Sequence, residues 1–398
     1  MTRSRRPRTC CPRPSARSTA GSARLAASPA RGKRPGRSDA TNRGERTRLV
    51  LERCRELGFA LAGIAPVGPM RHEAAMREWL AKGRHGSMGY LAEHADLKAD
   101  PSRLLEGARC AIMVADLYAT RDGEADEIPD GHGRIARYAR GGDYHKIMKK
   151  RLHALCDELA ERWPEERTRA FVDTAPVHER ELALAAGQGW VGKHTLIIHP
   201  RVGSWMLLGG VLTTLELDVN QREEPDHCGT CTRCIEACPT DAITPYSVDA
   251  SRCISYLTIE RRGPIDPELQ RGMGAWIFGC DVCQEVCPHN SPRPGDVGEA
   301  NPAYEGERAS FDLLEVLGWD EDARRAAFAK SAMKRAKLGM MRRNAVIAAG
   351  NEIERLGLED PVARRLSSAI RAVRDDDMAE EDLRTLAAST LDRACHSL

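Results

Sequence analysis

No stretch of this 398-residue chain approaches the roughly eighteen consecutive apolar residues that a membrane-spanning helix needs, so nothing in it is expected to cross a bilayer. Net charge is nearly absent: +2 in a chain with 60 Lys and Arg, so affinity for nucleic acid has to come from local patches rather than from a basic whole. Arg5-Arg6 resembles a twin-arginine export signal, but no apolar run follows it, which argues against export. A disulfide framework is missing too. Eight of the 14 cysteines crowd at metal-ligand spacing, which predicts a reducing, cytoplasmic setting. What remains is an ordinary soluble composition, 41% hydrophobic and 30% charged, in a chain long enough for roughly two or three domains.

Residues 1–40 carry 11 Lys and Arg against one acidic residue, Asp39, and offer no apolar face, so a disordered basic tail is expected over 1–41. Leu49, Val50, Cys54 and Leu57 then recur at helical spacing up to Gly58. Apolar strands are expected at 59–64, 108–118, 169–176, 196–198 and 205–208, with helices at 71–82, at 178–186 and through Leu152, Leu155 and Leu159 to the break at Pro164. This alternation predicts an α/β-type domain over 42–218. Cys54, Cys110 and Cys156 sit singly in apolar patterns and read as small buried hydrophobes. Gly141-Gly142 leaves room for a ligand to approach the backbone. Residues 289–308 read as a linker, and amphipathic patterns at 311–317, 321–330, 339–356, 361–373 and 379–393 as a helical, repeat-like cap within 291–398. The fold class is therefore α+β, with a ferredoxin-like module over 219–290 between the two.

That module carries the chemistry. Cys228, Cys231, Cys234, Cys238 and Pro239 make C-x2-C-x2-C-x3-C-P, the spacing of bacterial iron–sulfur ligation. Cys280, Cys283, Cys287 and Pro288 make C-x2-C-x3-C-P, with Cys253 alone between the motifs. In two-cluster ferredoxins the fourth cysteine of a motif serves the other cluster. Cys228, Cys231, Cys234 and Cys287 then hold one 4Fe–4S cluster, and Cys238, Cys280 and Cys283 need Cys253 to complete the second. Zinc also takes four thiolates from C-x2-C pairs, but this triple spacing is uncommon for it. Gly229 and Gly279 are expected to let backbone amides approach sulfur.

Several separated motifs together resemble the epoxyqueuosine reductase family: Arg137-Tyr-Ala-Arg-Gly-Gly-Asp-Tyr-His145, Phe171-Val-Asp-Thr-Ala-Pro176, Gly189-Trp-Val-Gly-Lys-His194, Gly203-Ser-Trp205, Cys253-Ile-Ser-Tyr-Leu-Thr-Ile-Glu260 and Arg343-Asn-Ala-Val-Ile-Ala-Ala-Gly-Asn351. The resemblance spans roughly residues 45–355. It implies reduction of the epoxide of epoxyqueuosine at the tRNA wobble position, with two 4Fe–4S clusters, a cobalamin in the α/β domain and an external electron donor. It also implies that Asp173 is the proton donor, and burial at the end of its strand is expected to favour the protonated form. Lys98, where the family often carries Arg, is an expected cobalamin contact. The others are Tyr138, Asp173, Gly192, Lys193 and Thr195, with Ser204 behind them. None of His145, His178, His194 or His199 is assigned to cobalt.

Phosphate contacts to tRNA are expected from Lys146, Lys149, Lys150 and Arg151 and from Lys334, Arg335, Lys337, Arg342 and Arg343. A monomer is expected. Three other readings compete: a corrinoid reductive dehalogenase, a ferredoxin-like electron carrier, and a zinc-stabilised RNA-binding protein.

Overall fold

The computed structural model describes residues 37–121, 127–220, 222–292, 298–306 and 308–396. The tail expected over 1–41 lies outside them, except that the first helix, Arg37–Glu56, already includes the backbone of 37–41.

Strands β1 (Leu61–Pro66), β2 (Cys110–Leu117), β3 (His132–Ile135), β4 (Thr168–Phe171), β5 (Trp190–Val191), β6 (Ile197–Ile198) and β7 (Met206–Thr213) belong to the first domain's stretch of chain. Four of them form the main sheet, in the order β1-β2-β7-β4, antiparallel throughout. Every residue of β2 is buried, as a central strand covered on both faces requires. Cys110, Ile112 and Val114 face one core, shared with Met148, Leu152 and Leu155 of the helix Tyr144–Arg162. Ala111, Met113 and Ala115 face the other, shared with Leu182 and Ala183 of the helix Glu179–Ala185. The period of two along the strand thus divides the domain into helix, sheet and helix layers. Gly63 sets one spacing: a Cβ there would meet the Ala186 carbonyl oxygen at 2.3 Å, so only glycine lets β1 and the second helix pack this closely.

The two-strand hairpin β8 (Ile243–Thr244) and β9 (Ser247–Val248) lies within the cysteine-rich module. A second sheet of order β10-β3-β11 joins three distant segments. In it β10 (Trp276–Phe278) runs parallel to β3, and β11 (Ser310–Asp312) antiparallel to it. Its Ile135, Ile277, Phe278 and Phe311 enter one core with the C-terminal helices Leu338–Leu356, Pro361–Arg374 and Glu381–His396. The helical cap is present, but its first residues form β11 and its long helix is interlocked with the cysteine module. Asn344 donates to the Thr258 and Ile277 carbonyls, both at 2.9 Å. Arg343 donates to those of Leu257, Arg261 and Gly263.

Two readings change. The Gly141-Gly142 pair admits this chain's own backbone rather than a ligand, since a Cβ at Gly141 would lie 2.1 Å from the Tyr304 carbonyl oxygen. Within the segment read as a linker, Tyr304 is held in place: it is buried and its hydroxyl donates to Asp116 at 2.6 Å.

Candidate active site and iron–sulfur centres

The eight cysteines of the module fall into two sets. Cys228, Cys231, Cys234 and Cys287 line one small hollow with Lys193, His194 and Ile198. Cys238, Cys253, Cys280 and Cys283 form the other, since the thiols of Cys253 and Cys280 each feel Cys238, and Cys283 feels Cys280 and Cys253. The sets adjoin, because Cys283 also feels Cys234. One-turn helices, Arg233–Glu236 and Val282–Glu285, present Cys234 and Cys283. Cys253 precedes the helix Ile254–Ile259 as its N-cap residue.

Burial pushes the Cys287 thiol up to about 11 and raises those of Cys253, Cys280 and Cys283 as well. Such thiols ionise only against a nearby positive charge, which is what iron supplies. At Cys253 the backbone amides of Ser255 and Tyr256 act in the same direction as that charge. The residues also suit a sulfide-bearing cluster. His194 accepts the Leu196 N–H through Nδ1 at 3.2 Å, which leaves the hydrogen on Nε2. That buried Nε2–H, in the wall of the first hollow, has no protein partner. A cluster sulfide is an acceptor of the right kind. Gly279 does not serve sulfur as expected: its N–H donates to Thr258 Oγ1 at 2.9 Å.

The expected cofactor contacts surround this module unevenly. Lys193 clamps the first cysteine loop, its Nζ donating to the carbonyls of Gly229 (2.7 Å) and Cys231 (2.9 Å). Gly192 and Thr195 form the turn between β5 and β6, closed by the Thr195 N–H on the Gly192 carbonyl. Thr195 in turn accepts from Arg180 through its carbonyl (2.7 Å) and hydroxyl (3.0 Å). Ser204 is buried and fully engaged, donating to Gln284 and accepting from Asn290, both at 2.9 Å. It therefore ties the sheet domain to the cysteine module. Tyr138 packs edge-on against Tyr118 and Tyr144, and burial raises its phenol. Lys98 lines a cavity with Val67, Met70, Pro101, His178 and Leu182. Burial lowers its ammonium, and the buried His178 Nδ1 has no partner there.

Asp173 stands at the end of β4 in a left-handed conformation, φ +44°, which costs an L-residue roughly 1–2 kcal/mol. Its Oδ2 lies 3.0 Å from His145 Nε2, and His145 Nδ1 lies 3.0 Å from Asp143 Oδ1. Burial pushes the Asp173 carboxyl up, yet the hydrogen bond and charge of His145, with Tyr144 and Arg335 behind them, outweigh it. The carboxyl ends below its ordinary value, which corrects the expectation of a protonated acid. Burial lowers His145, and the two carboxylates more than reverse that, so the imidazole is raised above its ordinary value. The Asp173 N–H donates to Glu179 at 2.5 Å. Burial first, then the Asp173 charge, push the Glu179 carboxyl up to about 8. Arg335 completes the rim, paired with Glu260 at 2.6 Å and lying over the ring of Tyr90, which is 40% exposed. Proton-bearing and charge-compensating groups therefore converge on one carboxylate that solvent can still reach, since its side chain is 50% exposed.

Two family models match the chain: one described as epoxyqueuosine reductase QueG, DUF1730, over residues 98–174, and one as a 4Fe-4S double cluster binding domain over residues 227–290. An epoxyqueuosine reductase of Leadbetterella byssophila is 41% identical over 296 residues, 73% of this chain and 93% of the relative. That of Xanthomonas campestris pv. campestris is 38% identical over 348 residues, 86% of this chain and 94% of the relative. The chain belongs to the epoxyqueuosine reductase family. The fold agrees with that of a crystallised epoxyqueuosine reductase carrying an epoxyqueuosine-modified tRNA stem loop, at TM-score 0.71 and 23% identity over 88% of this chain and 99% of that one.

Within this epoxyqueuosine reductase family member, three of the basic residues expected on tRNA are turned inward. Arg343 is 8% exposed and spent on carbonyls. Arg342 donates to the Leu317 carbonyl at 3.1 Å. Arg151 pairs with the buried Asp116 and donates to the Gly58 carbonyl. Lys146, Lys150, Lys334, Arg335 and Lys337 remain exposed. Sequence reasoning passed over His145 as a proton carrier and missed Glu179 and Arg180 altogether. His145 was quoted within a motif, but nothing in the spacing shows that it meets Asp173, 28 residues away.

Proposed function

We propose that this protein reduces epoxyqueuosine to queuosine within tRNA, with the two cysteine sets as its 4Fe–4S centres. Removing the epoxide oxygen as water takes two electrons and two protons. The adjoining thiol sets provide a path for single electrons from an external donor, with Cys228, Cys231, Cys234 and Cys287 on one cluster and Cys238, Cys253, Cys280 and Cys283 on the other. A corrinoid, when bound, supplies the reducing centre at carbon that no side chain matches. Lys98, Tyr138, Gly192, Lys193 and Thr195 are the residues to hold it, with Ser204 fixing the wall behind. The buried, unpartnered His178 Nδ1 beside Lys98 suits the amide-rimmed edge of such a ligand.

The observation that carries the reading is the Asp143–His145–Asp173 chain at the mouth of the site. Asp173 relays to the departing oxygen a proton taken from His145, whose raised imidazole is the source. Exposed Lys334 and Lys337 on the cap side, and Lys146 and Lys150 on the other, are placed to contact tRNA phosphates. Eight free thiols at iron-ligand spacing suit a reducing, cytoplasmic setting, and no described helix is long and apolar enough to cross a membrane. The same reading takes the working unit as a monomer.

The test is to load the protein with iron, sulfide and cobalamin, supply a chemical reductant, and follow an epoxyqueuosine-containing stem-loop by mass. Loss of one oxygen, giving queuosine, is expected. Halide release from a halogenated phenol with no queuosine formed would overturn the reading.

A further inference from the structure

The backbone at Asp173 is strained in a way that needs a restraint. With φ +44°, it forms the centre of a tight turn closed by the Thr174 N–H on the Val172 carbonyl at 2.5 Å. Conformations of this kind persist only where their surroundings over-determine them. The Asp173 N–H is directed at the carboxyl of Glu179, 2.5 Å away. Glu179 opens the helix Glu179–Ala185, whose Leu182 and Ala183 are locked into the core beneath the sheet. The carboxyl therefore reaches from a fixed element to the one loop that carries the acid.

We propose that Glu179 is a positioning residue, whose side-chain carbonyl oxygen latches the Asp173 N–H and keeps the acid's turn aimed at the substrate. The proposal rests on the reading of Asp173 as proton donor.

Either form of the carboxyl offers an oxygen to that N–H, and the neutral one spares Asp173 a second charge. An ionised Glu179 would place a second negative charge beside Asp173 and make Asp173 harder to keep ionised against His145. Burial and the Asp173 charge favour the neutral acid, with Lys98 and Arg180 pulling the other way. A neutral carboxyl still offers a carbonyl oxygen to an N–H, and so does an amide of the same shape. Glutamine should serve in its place and alanine should not. Methionine, which keeps the bulk but has no carbonyl oxygen, separates the latch from simple space-filling and should fail as alanine does.

The experiment compares Glu179→Gln and Glu179→Ala in cluster- and cobalamin-loaded protein by two readouts. One is hydrogen–deuterium exchange over a peptide covering residues 171–177, and the other is steady-state reduction of the epoxyqueuosine stem-loop. For one lost hydrogen bond, Glu179→Ala is expected to exchange about tenfold faster in that loop and to lose about tenfold in kcat with KM little changed. Glu179→Gln is expected to stay within about threefold of the parent in both. Unchanged exchange in Glu179→Ala, or a Glu179→Gln variant as impaired as Glu179→Ala, would overturn the latch. If Glu179→Ala does not fold, Glu179→Met, similar in length but without a carbonyl oxygen, carries the same expectations. Should the parent fail to convert the stem-loop, the proposed activity fails, while the exchange data still decide the latch.

Discussion

The cysteine module and the acid site both gather ionisable groups at one point, and they are built in opposite ways. All eight thiols come from residues 228–287, aimed by one-turn helices and local turns. The acid site is assembled from Lys98, Tyr144 and His145, Asp173, Glu179 and Arg180, and Arg335, which meet only because two helices pack on opposite faces of one sheet and the cap closes the rim. A site encoded by neighbours carries its geometry with it. A site drawn from distant segments depends on each layer of the fold, so single substitutions should damage the two in different ways.

The contrast breaks most sharply at Asp173. Asp173→Asn should lower turnover by about a hundredfold or more, the scale of a lost general acid, while iron content and the visible thiolate-to-iron absorption stay at parental levels. An active variant would remove the acid site from the chemistry. In the other direction, Cys253→Ala should release about half of the iron and spare the set containing Cys228, because the two sets share no thiol. Iron analysis with electron paramagnetic resonance would show it, and a full iron complement would assign Cys253 no ligand role. The smallest effect concerns pH. His145 is raised by Asp173 and Asp143, so its proton is present below that raised value and is lost as pH climbs through it. The rate should therefore fall on the alkaline side. Asp143→Asn, which removes one of the two carboxylates, should move the fall to lower pH by roughly half a unit to one unit. A profile that does not move would detach His145 from proton supply.

The same contrast explains what could be read from the chain. The thiol spacing was legible because ligand order and turn geometry are both local. So was the alternation of helix and strand, since β2 and the helix Tyr144–Arg162 write their periods directly into apolar positions. Phe311 and Asp312 were taken as the start of a helix because their strand character exists only through pairing with His132–Ile135. Arg343 looked like a phosphate ligand because charge patterns do not show carbonyl partners some eighty residues back in the chain. Asp173 was singled out from its motif, but its ionisation was misjudged. The burial that raises its carboxyl was inferable, whereas the imidazole that lowers it again is brought there by tertiary packing.

The interlock between the cap and the cysteine module has an evolutionary corollary. Asn344, Asn351 and Arg343 donate to carbonyls of Thr258, Ile277, Gln270, Gly274 and Leu257 across the seam between cap and module. A gene fragment ending near residue 290 would carry all eight cysteines of the two sets and still encode a poor stand-alone ferredoxin. Recombination that swaps in a foreign two-cluster domain is expected to succeed only when the Leu338–Leu356 helix travels with it.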